Sequence, residues 1–203
     1  MSRAFKLPNI EDLTLDQEKI LALPTDGRQL ILGGPGTGKS TIINQLTSLG
    51  HCCYPEISRQ VTAEAKKLGI DQLFLEDPLL FSQKLLEGRI KQFNDAQEEA
   101  HPVVFIDRGV PDVVAYMNFI GDDYPPHFEE ACVTCTYSKI FMLPPWEEIY
   151  ESDGERYENY EQAQQIYLHL KETYQNYGYE LIEVPKDTVD NRILFILDRI
   201  SSK

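Results

Sequence analysis

Short apolar runs recur along the chain, and each ends at Gly, Pro or a charged residue, which is the pattern of buried strands. Four runs are clear, at residues 29–32, 103–106, 139–143 and 179–184, and a fifth, weaker candidate ends near Tyr54. The run at 103–106 is apolar throughout instead of alternating with polar residues. Such runs are typical of strands that helices cover on both faces.

Helices are predicted between these strands, where apolar residues recur at helical spacing. The predicted ranges are 40–49, 56–68, 77–94, 160–177 and 188–200. We assign Leu79 and Leu80 to the buried side of the helix at 77–94, and Leu194 to that of the last helix. The alternation of strands and helices predicts an α/β fold in three layers, with a mostly parallel sheet and helices on both faces.

The chain length fits one domain. Its 203 residues, 42% of them hydrophobic, suffice for one substantial core, and no repeat or Gly/Ser linker divides them. We predict a single domain over residues 1–203, with 1–28 as an N-terminal extension. Residues 146–161 are rich in Asp, Glu and Tyr and lack an apolar stripe, which predicts a mobile, lid-like segment.

The formal net charge of -14 argues against nucleic acid as a partner, because no run of Lys or Arg offers cations for its phosphates. The charge favours a small anionic ligand that a few cations and magnesium neutralise locally. No apolar stretch approaches the roughly 18 residues of a membrane helix, and the N-terminus lacks the apolar core of a signal peptide. We therefore expect a cytoplasmic protein without a membrane partner.

Four cysteines occur, as the adjacent pair Cys52 and Cys53 and as Cys132-x-x-Cys135. The second spacing is compatible with zinc or redox chemistry, but it has no matching second pair and no nearby His cluster. Buried free thiols, as in reduced cytosolic proteins, are the simpler interpretation.

The sequence Gly-Gly-Pro-Gly-Thr-Gly-Lys-Ser occupies residues 33–40, between the first strand and the first helix. It matches the Walker A pattern, in which backbone N–H groups cradle phosphate oxygens at a helix N-terminus. Lys39 is placed to bridge the β- and γ-phosphates, and the Ser40 hydroxyl to complete the magnesium shell. We predict a site for ATP and Mg²⁺ built from Gly33, Gly34, Pro35, Gly36, Thr37, Gly38, Lys39, Ser40 and Thr41.

A carboxylate that orients the waters of the metal usually comes from the end of a neighbouring buried strand. Asp107 directly follows the apolar run at 103–106, so we predict that it holds magnesium through water. The adjacent Arg108 is suited to pair with a transferable or acceptor phosphate. A helix cap or loop charge remains the alternative for Asp107, and a structural salt bridge the alternative for Arg108.

With these motifs and the Asp-Gly-Glu-Arg stretch at 153–156 in this order, the chain resembles the small P-loop nucleoside and nucleotide kinases. It is most similar to AAA-type predicted ATPases and kinases that look like nicotinamide riboside kinase domains; thymidylate and deoxynucleoside kinases are more distant. The resemblance covers about 29–185. It implies that Asp107 and Arg108 face the acceptor and the phosphates, and that Arg156 closes over the triphosphate from a lid. A surface ion pair is the alternative for Arg156.

Deoxynucleoside kinases place a Glu near the end of the second strand as the base that takes a proton from the acceptor hydroxyl, and Glu56 occupies that position. The resemblance thus implies catalysis by Glu56 and a phosphate or acceptor contact by Arg59. A carboxylate at a helix N-terminus, favoured by the helix dipole, is an equal alternative for Glu56. No nucleobase-reading motif is found between residues 70 and 99, so the acceptor is not assigned.

A second resemblance concerns the stretch Leu-Thr-Leu-Asp-Gln at 13–17. It looks like the glutamine motif of superfamily 1 helicases, which implies that Gln17 contacts adenine through its amide. The helicase likeness ends after Thr41, and no second motor domain follows. An exposed helix residue is the alternative for Gln17.

The sequence predicts a kinase that transfers the γ-phosphoryl group of ATP to a small hydroxyl or phosphate acceptor. Its predicted catalytic residues are Lys39, Glu56, Asp107, Arg108 and Arg156. An ATPase that switches conformation for a partner protein shares the same loop and is the main alternative. A nucleotide-binding scaffold without turnover is a third possibility, and the sequence leaves the protein partner and oligomeric state open.

Overall fold

Five strands form one sheet in the computed structural model, which describes residues 27–34, 36–67, 69–150 and 159–201. The strands are β1 (Gly27–Leu32), β2 (Cys52–Tyr54), β3 (Val103–Asp107), β4 (Lys139–Met142) and β5 (Leu181–Glu183). Their order is β2-β3-β1-β4-β5, and every neighbouring pair is parallel. The predicted α/β fold is confirmed. Because β1 begins at Gly27, the last two residues of the expected N-terminal extension belong to the sheet.

Helices follow the strands along the chain. They are α1 (Lys39–Ser48), α2 (Ser58–Lys67), α3 (Leu73–Glu76), α4 (Pro78–Glu98), α5 (Pro111–Ile120), α6 (His127–Thr134), α7 (Tyr160–Asn176) and α8 (Val189–Ser201). A 3₁₀ turn at Glu147–Ile149 follows β4. Within these described residues, no helix has the length and apolar character needed to cross a membrane.

Alternate residues of each strand face opposite sides of the sheet and produce two cores. Ile31 and Phe105 belong to the core that α1 and α8 cover. Leu30, Leu32 and Ile106 belong to the larger core, which α4, α5, α6 and α7 cover. The strands are apolar throughout because both of their faces are buried, and the architecture is therefore three-layered.

Side-chain caps set the starts of the two longest helices close to the predicted positions. Asp77 accepts a hydrogen bond from the N–H of Leu80 at 2.9 Å, and Pro78 occupies the first turn of α4. Asn159 and Gln162 form a reciprocal capping box at the start of α7. Local chemistry thus determines where these helices begin.

The structure corrects three of the predicted core positions. Leu79, Leu80 and Leu194 are exposed by 40%, 39% and 56%. The buried side of α4 instead begins at Phe81 and continues through Leu85, which are one turn apart on the helix. The two leucines of α4 precede the buried stripe of that helix, and Leu194 lies outside the stripe that Ile193, Ile196 and Ile200 form on α8.

Two helices, α5 and α6, lie in a stretch where no element was predicted. Helix α5 is apolar on nearly all sides, since Val113, Val114, Ala115 and Met117 are all buried. A helix without a polar face has no hydrophobic stripe, so its period cannot be recognised in the sequence.

The parallel sheet brings the carboxyl ends of its strands to one edge, which is where ligands bind in open α/β sheets. β1 leads into the glycine-rich loop at 33–38, β3 ends at Asp107, and Glu56 lies two residues beyond β2. The topology therefore places the three predicted parts of the site side by side.

Candidate functional site

The glycine-rich loop is shaped by its backbone. Gly36 and Gly38 adopt φ values of 69° and 74°, in the left-handed region that glycine alone occupies without steric cost. The Thr37 hydroxyl donates a hydrogen bond to the carbonyl oxygen of Gly34 at 3.0 Å, which holds the turn.

The helix that follows this loop has no side-chain cap, and its first turn contains no acidic residue. The N–H groups of a first helical turn lack intrahelical acceptors, and they lie at the positive end of the helix dipole. These properties fit a phosphate group, because an anion satisfies the free donors that a side-chain cap would otherwise occupy.

A buried ion pair lies where this loop meets the sheet. Lys39, the first residue of α1, pairs with Asp107 at the end of β3, and both side chains are buried. Burial lowers the pKa of Lys39 and raises the pKa of Asp107, while the attraction between the two charges opposes both shifts. Ser40, the next residue, is exposed. The loop lysine, the strand-end carboxylate and the predicted magnesium hydroxyl thus occur together, and this donor set suits a metal–triphosphate.

A second charge cluster lies beside the first and is centred on Glu56. Its carboxylate pairs with Arg108 and with Arg89 of α4, the latter at 3.3 Å, and it accepts the N–H of Ser58 at 3.1 Å. Burial alone would raise the pKa of Glu56, but the charges of Arg108, Arg89 and Lys39 lower this pKa to about 2. Glu56 is therefore ionised at neutral pH.

Arg108 has a left-handed backbone, with φ of 71°, which is uncommon for a residue other than glycine. The buried carboxylate of Asp112 holds this turn. Its Oδ1 lies 3.6 Å from Nη1 of Arg108, and its Oδ2 accepts the N–H of Gly109 at 3.0 Å and the hydroxyl of Tyr174 at 2.6 Å. Arg89 adds a 3.0 Å hydrogen bond from Nη1 to the carbonyl oxygen of Gly109. Backbone strain at a residue held this firmly is a feature of functional sites.

Arg192 of α8 holds the glycine-rich loop through a backbone carbonyl. It is 3% exposed, and its Nη2 donates to the carbonyl oxygen of Thr37 at 2.8 Å. Its guanidinium carbon lies 5.9 Å from the ring centre of Trp146, within the range of a cation–π contact. Arg192 thus connects the loop to the last helix and to the segment after β4.

The first residues of the predicted lid-like segment 146–161 contact the glycine-rich loop. The N–H of Trp146 donates to the carbonyl oxygen of Gly36 at 3.4 Å. The ring of Tyr150 lies so close to the loop that a Cβ atom at Gly36 would be 2.1 Å from its Cδ2. Residues 146–150 therefore pack on the phosphate loop; residues 151–158 lie outside the described part of the chain.

Five other predicted site residues are either exposed or lie outside the described residues. Arg59 is exposed in the first turn of α2, and Thr41 is exposed in the first turn of α1. Gln17, Pro35 and Arg156 lie outside the described residues. The functional roles of all five stay predictions.

Three charged residues of the site were not predicted from the sequence. Arg89 lies four residues after Leu85 and four before Phe93, so it is a cation on the buried stripe of α4. Arg192 and Asp112 are likewise buried, and each directly precedes a buried apolar residue, Ile193 or Val113. A charged residue at a core position is the signal that would have identified them, because such a group requires a partner.

The parallel sheet, the glycine-rich loop and the Lys39–Asp107 pair together define a P-loop protein. The chain belongs to the AAA domain family, whose model matches residues 28–192. No curated protein matches the chain with significant similarity.

The solved structures that share the fold include a deoxyadenosine kinase and the NadR protein. Deoxyadenosine kinase from M. mycoides, with dCMP and dCDP bound, is 15% identical over 85% of this chain and 98% of the kinase, with a TM-score of 0.62. The NadR protein in complex with NR is 17% identical over 97% of this chain and 60% of the NadR chain, with a TM-score of 0.67. The resemblance to P-loop kinases is thus confirmed at the level of the fold.

We expect Glu56→Gln to reduce stability in a pH-dependent way. The folded pKa of Glu56, about 2, lies below its ordinary value of 4.5, so the ionised group stabilises the fold above pH 4.5. This contribution is lost as the pH falls from 4.5 towards 2. The substitution should therefore lower the free energy of unfolding by about 2–3 kcal/mol at neutral pH and by less below pH 4.5.

Urea unfolding of both proteins at several pH values measures this difference. Glu64→Gln is the matched control, since Glu64 is an exposed carboxylate on α2 whose partner is Gln60. An effect of Glu56→Gln that is equal at all pH values, or no larger than that of Glu64→Gln, would contradict the assignment.

Proposed function

We propose that this protein is a kinase that transfers the γ-phosphoryl group of ATP to a hydroxyl or phosphate of a small, nucleoside-like acceptor. One observation carries the proposal: the ion pairs Lys39–Asp107 and Glu56–Arg108 adjoin at the carboxyl edge of the sheet, close enough for Lys39 and Glu56 to shift each other's pKa. The first pair suits a triphosphate. The second offers a carboxylate and a guanidinium to a further group beside it.

On the triphosphate side, Lys39 is held at the loop by Asp107 and takes phosphate oxygens as partners when the nucleotide binds. This exchange replaces one anionic partner by another, so the buried ammonium is never left uncompensated. Ser40 and Asp107 would hold magnesium, Asp107 through water. The ion would supply positive charge that offsets the charge of the triphosphate.

On the acceptor side, Glu56 orients the acceptor hydroxyl and accepts its proton. A carboxylate with a pKa of about 2 is a weak base, so Glu56 is poorly suited to remove the proton of the acceptor hydroxyl before phosphoryl transfer begins. Phosphoryl transfer passes through a loose transition state that demands little of the nucleophile, however, so positioning matters more than base strength. The two arginines fix the carboxylate in one orientation for this task.

Positive charge near the transferred group completes the proposed site. Arg108 contacts both Glu56 and Asp112, and in this proposal it stabilises charge on the transferred phosphoryl group. Arg156 is proposed as a second cation, brought by the segment after β4. Arg59 is proposed to contact the acceptor, and Gln17 to contact adenine.

The nucleoside-like acceptor class is proposed because the fold is shared with deoxyadenosine kinase and with NadR in complex with NR. A cavity of about 710 Å³ between α5, α6 and α7 contains neither Lys39 nor Glu56 in its lining. We therefore assign the acceptor to the space beside Glu56 and not to that cavity.

We expect Lys39→Ala to weaken binding of ATP with magnesium by about 10- to 100-fold, the loss of a hydrogen bond to a charged group. Isothermal titration calorimetry measures the affinity, and circular dichroism checks that the variant is folded. Lys91→Ala is the matched control, because Lys91 is exposed and pairs with Asp95 on the surface of α4. Equal ATP affinity in a folded Lys39→Ala variant and in the control would refute the site.

A screen of nucleosides, nucleotides and nicotinamide riboside tests the reaction. With ATP and magnesium, one compound should yield a phosphorylated product in a 1:1 ratio to ADP, measured by mass spectrometry. Glu56→Gln should lower kcat for that compound by about 10²- to 10⁴-fold with ATP affinity unchanged. ADP release at one rate with and without every compound would instead favour the ATPase switch.

A further inference from the structure

Three side chains of the types that bind zinc converge at one corner of the sheet, away from the site described above. They are Cys52, the first residue of β2; Glu99, which follows α4; and His101, two residues before β3. One ligand atom from each residue lies within 4.8 Å of the other two. Cys52 is half-buried, and Glu99 and His101 are exposed.

The register of the sheet produces this convergence. β2 is an edge strand, and Cys52 is the Cα partner of Val104 in β3, so Cys52 lies beside the chain that enters β3. The corner is at the amino ends of these strands, whereas the phosphate loop lies at the carboxyl end of β1. The cluster is therefore separate from the proposed kinase site and does not depend on the proposed function.

We propose that Cys52, Glu99 and His101 form a zinc-binding site. A thiolate, an imidazole nitrogen and a carboxylate oxygen are the three ligand types that zinc takes, and water fills the fourth tetrahedral position. The thiol proton of Cys52 passes to solvent on binding, so the thiolate and the carboxylate together balance the charge of Zn²⁺. Sulfur and nitrogen ligands favour zinc over magnesium or calcium.

The spacing of the ligand atoms suits such a shell. Bond lengths of about 2.0–2.3 Å to zinc put tetrahedral ligand atoms roughly 3.3–3.8 Å apart. The three ligand atoms lie at most 4.8 Å apart, so they must move by about 1 Å to reach these distances. Exposed side chains such as Glu99 and His101 make such movements by small rotations.

A neighbouring tyrosine supports the carboxylate. The hydroxyl of Tyr54 donates to Oε1 of Glu99 at 3.0 Å. This contact orients the carboxylate and leaves its Oε2 for the metal. Metal ligands are commonly held by an outer hydrogen bond of this kind, and its loss weakens metal binding by about 10- to 100-fold.

The other cysteines provide controls. Cys53, the next residue of β2, packs against the core on the opposite face of the sheet from Cys52, because successive strand residues alternate. Cys132 and Cys135 are buried near the end of α6. Only Cys52 is therefore expected to contribute a thiolate ligand.

The test is a cobalt titration of the metal-stripped full chain without nucleotide, followed by displacement with zinc. A thiolate-to-cobalt charge-transfer band should appear with one equivalent in the native sequence, in Cys53→Ser and in the double variant Cys132→Ser/Cys135→Ser. Cys52→Ser should lose the band, and His101→Ala and Tyr54→Phe should bind at least about 10-fold more weakly. Zinc should also raise the Tm of the native sequence and not that of Cys52→Ser.

His101 is exposed, so His101→Ala keeps the test valid even if Cys52→Ser is poorly folded. No charge-transfer band in the native sequence would overturn the proposal. A band that persists in Cys52→Ser, that is unchanged in His101→Ala, or that disappears in Cys132→Ser/Cys135→Ser would overturn it equally. Cobalt bound only through oxygen ligands at Ser40 and Asp107 gives no such band and also counts against it.

Discussion

The rest of the site depends on one buried ion pair, between the ammonium of Lys39 and the carboxylate of Asp107. Removing either charge from water is costly, and their attraction compensates only if both are held in place. Helix α1 holds the lysine and strand β3 holds the aspartate. In the described part of the site, the three cations Lys39, Arg89 and Arg108 are balanced by three carboxylates, those of Glu56, Asp107 and Asp112.

This arrangement explains why so much of the fold converges on one edge. Asp112 and Tyr174 hold the strained turn after β3, and Arg192 holds the glycine-rich loop through the Thr37 carbonyl. Each of these contacts connects a different helix to the carboxyl edge of the sheet. A triphosphate that takes over Lys39 as its partner would thus meet a loop whose position is already fixed, which lowers the entropic cost of binding.

Local patterns predicted the parts of the molecule that local forces determine. The apolar strand ending at Asp107, the glycine-rich loop and the start of α4 at its Asp77 cap were all evident in the sequence. Glu56 was proposed only through the resemblance to deoxynucleoside kinases, since nothing in its immediate sequence distinguishes it from a helix-terminal carboxylate.

Long-range contacts account for what the sequence did not reveal. Arg89 reaches Glu56 across 33 positions, and Arg192 reaches Thr37 across 155. Helix α5 carries no periodic stripe because it is buried on nearly all sides. The approach of Cys52 to Glu99 and His101 follows from the pairing of β2 with β3, and strand pairing cannot be inferred from the spacing of the three residues.

In the proposed nucleotide site, Lys39 and Asp107 hold each other in position to receive a metal–triphosphate. A crystal structure with magnesium and a non-hydrolysable ATP analogue tests this most directly. We expect Nζ of Lys39 to contact oxygens of the β- and γ-phosphates and the Asp107 carboxylate to face a water of the magnesium ion. A nucleotide bound elsewhere, with Lys39 still paired to Asp107, would contradict it.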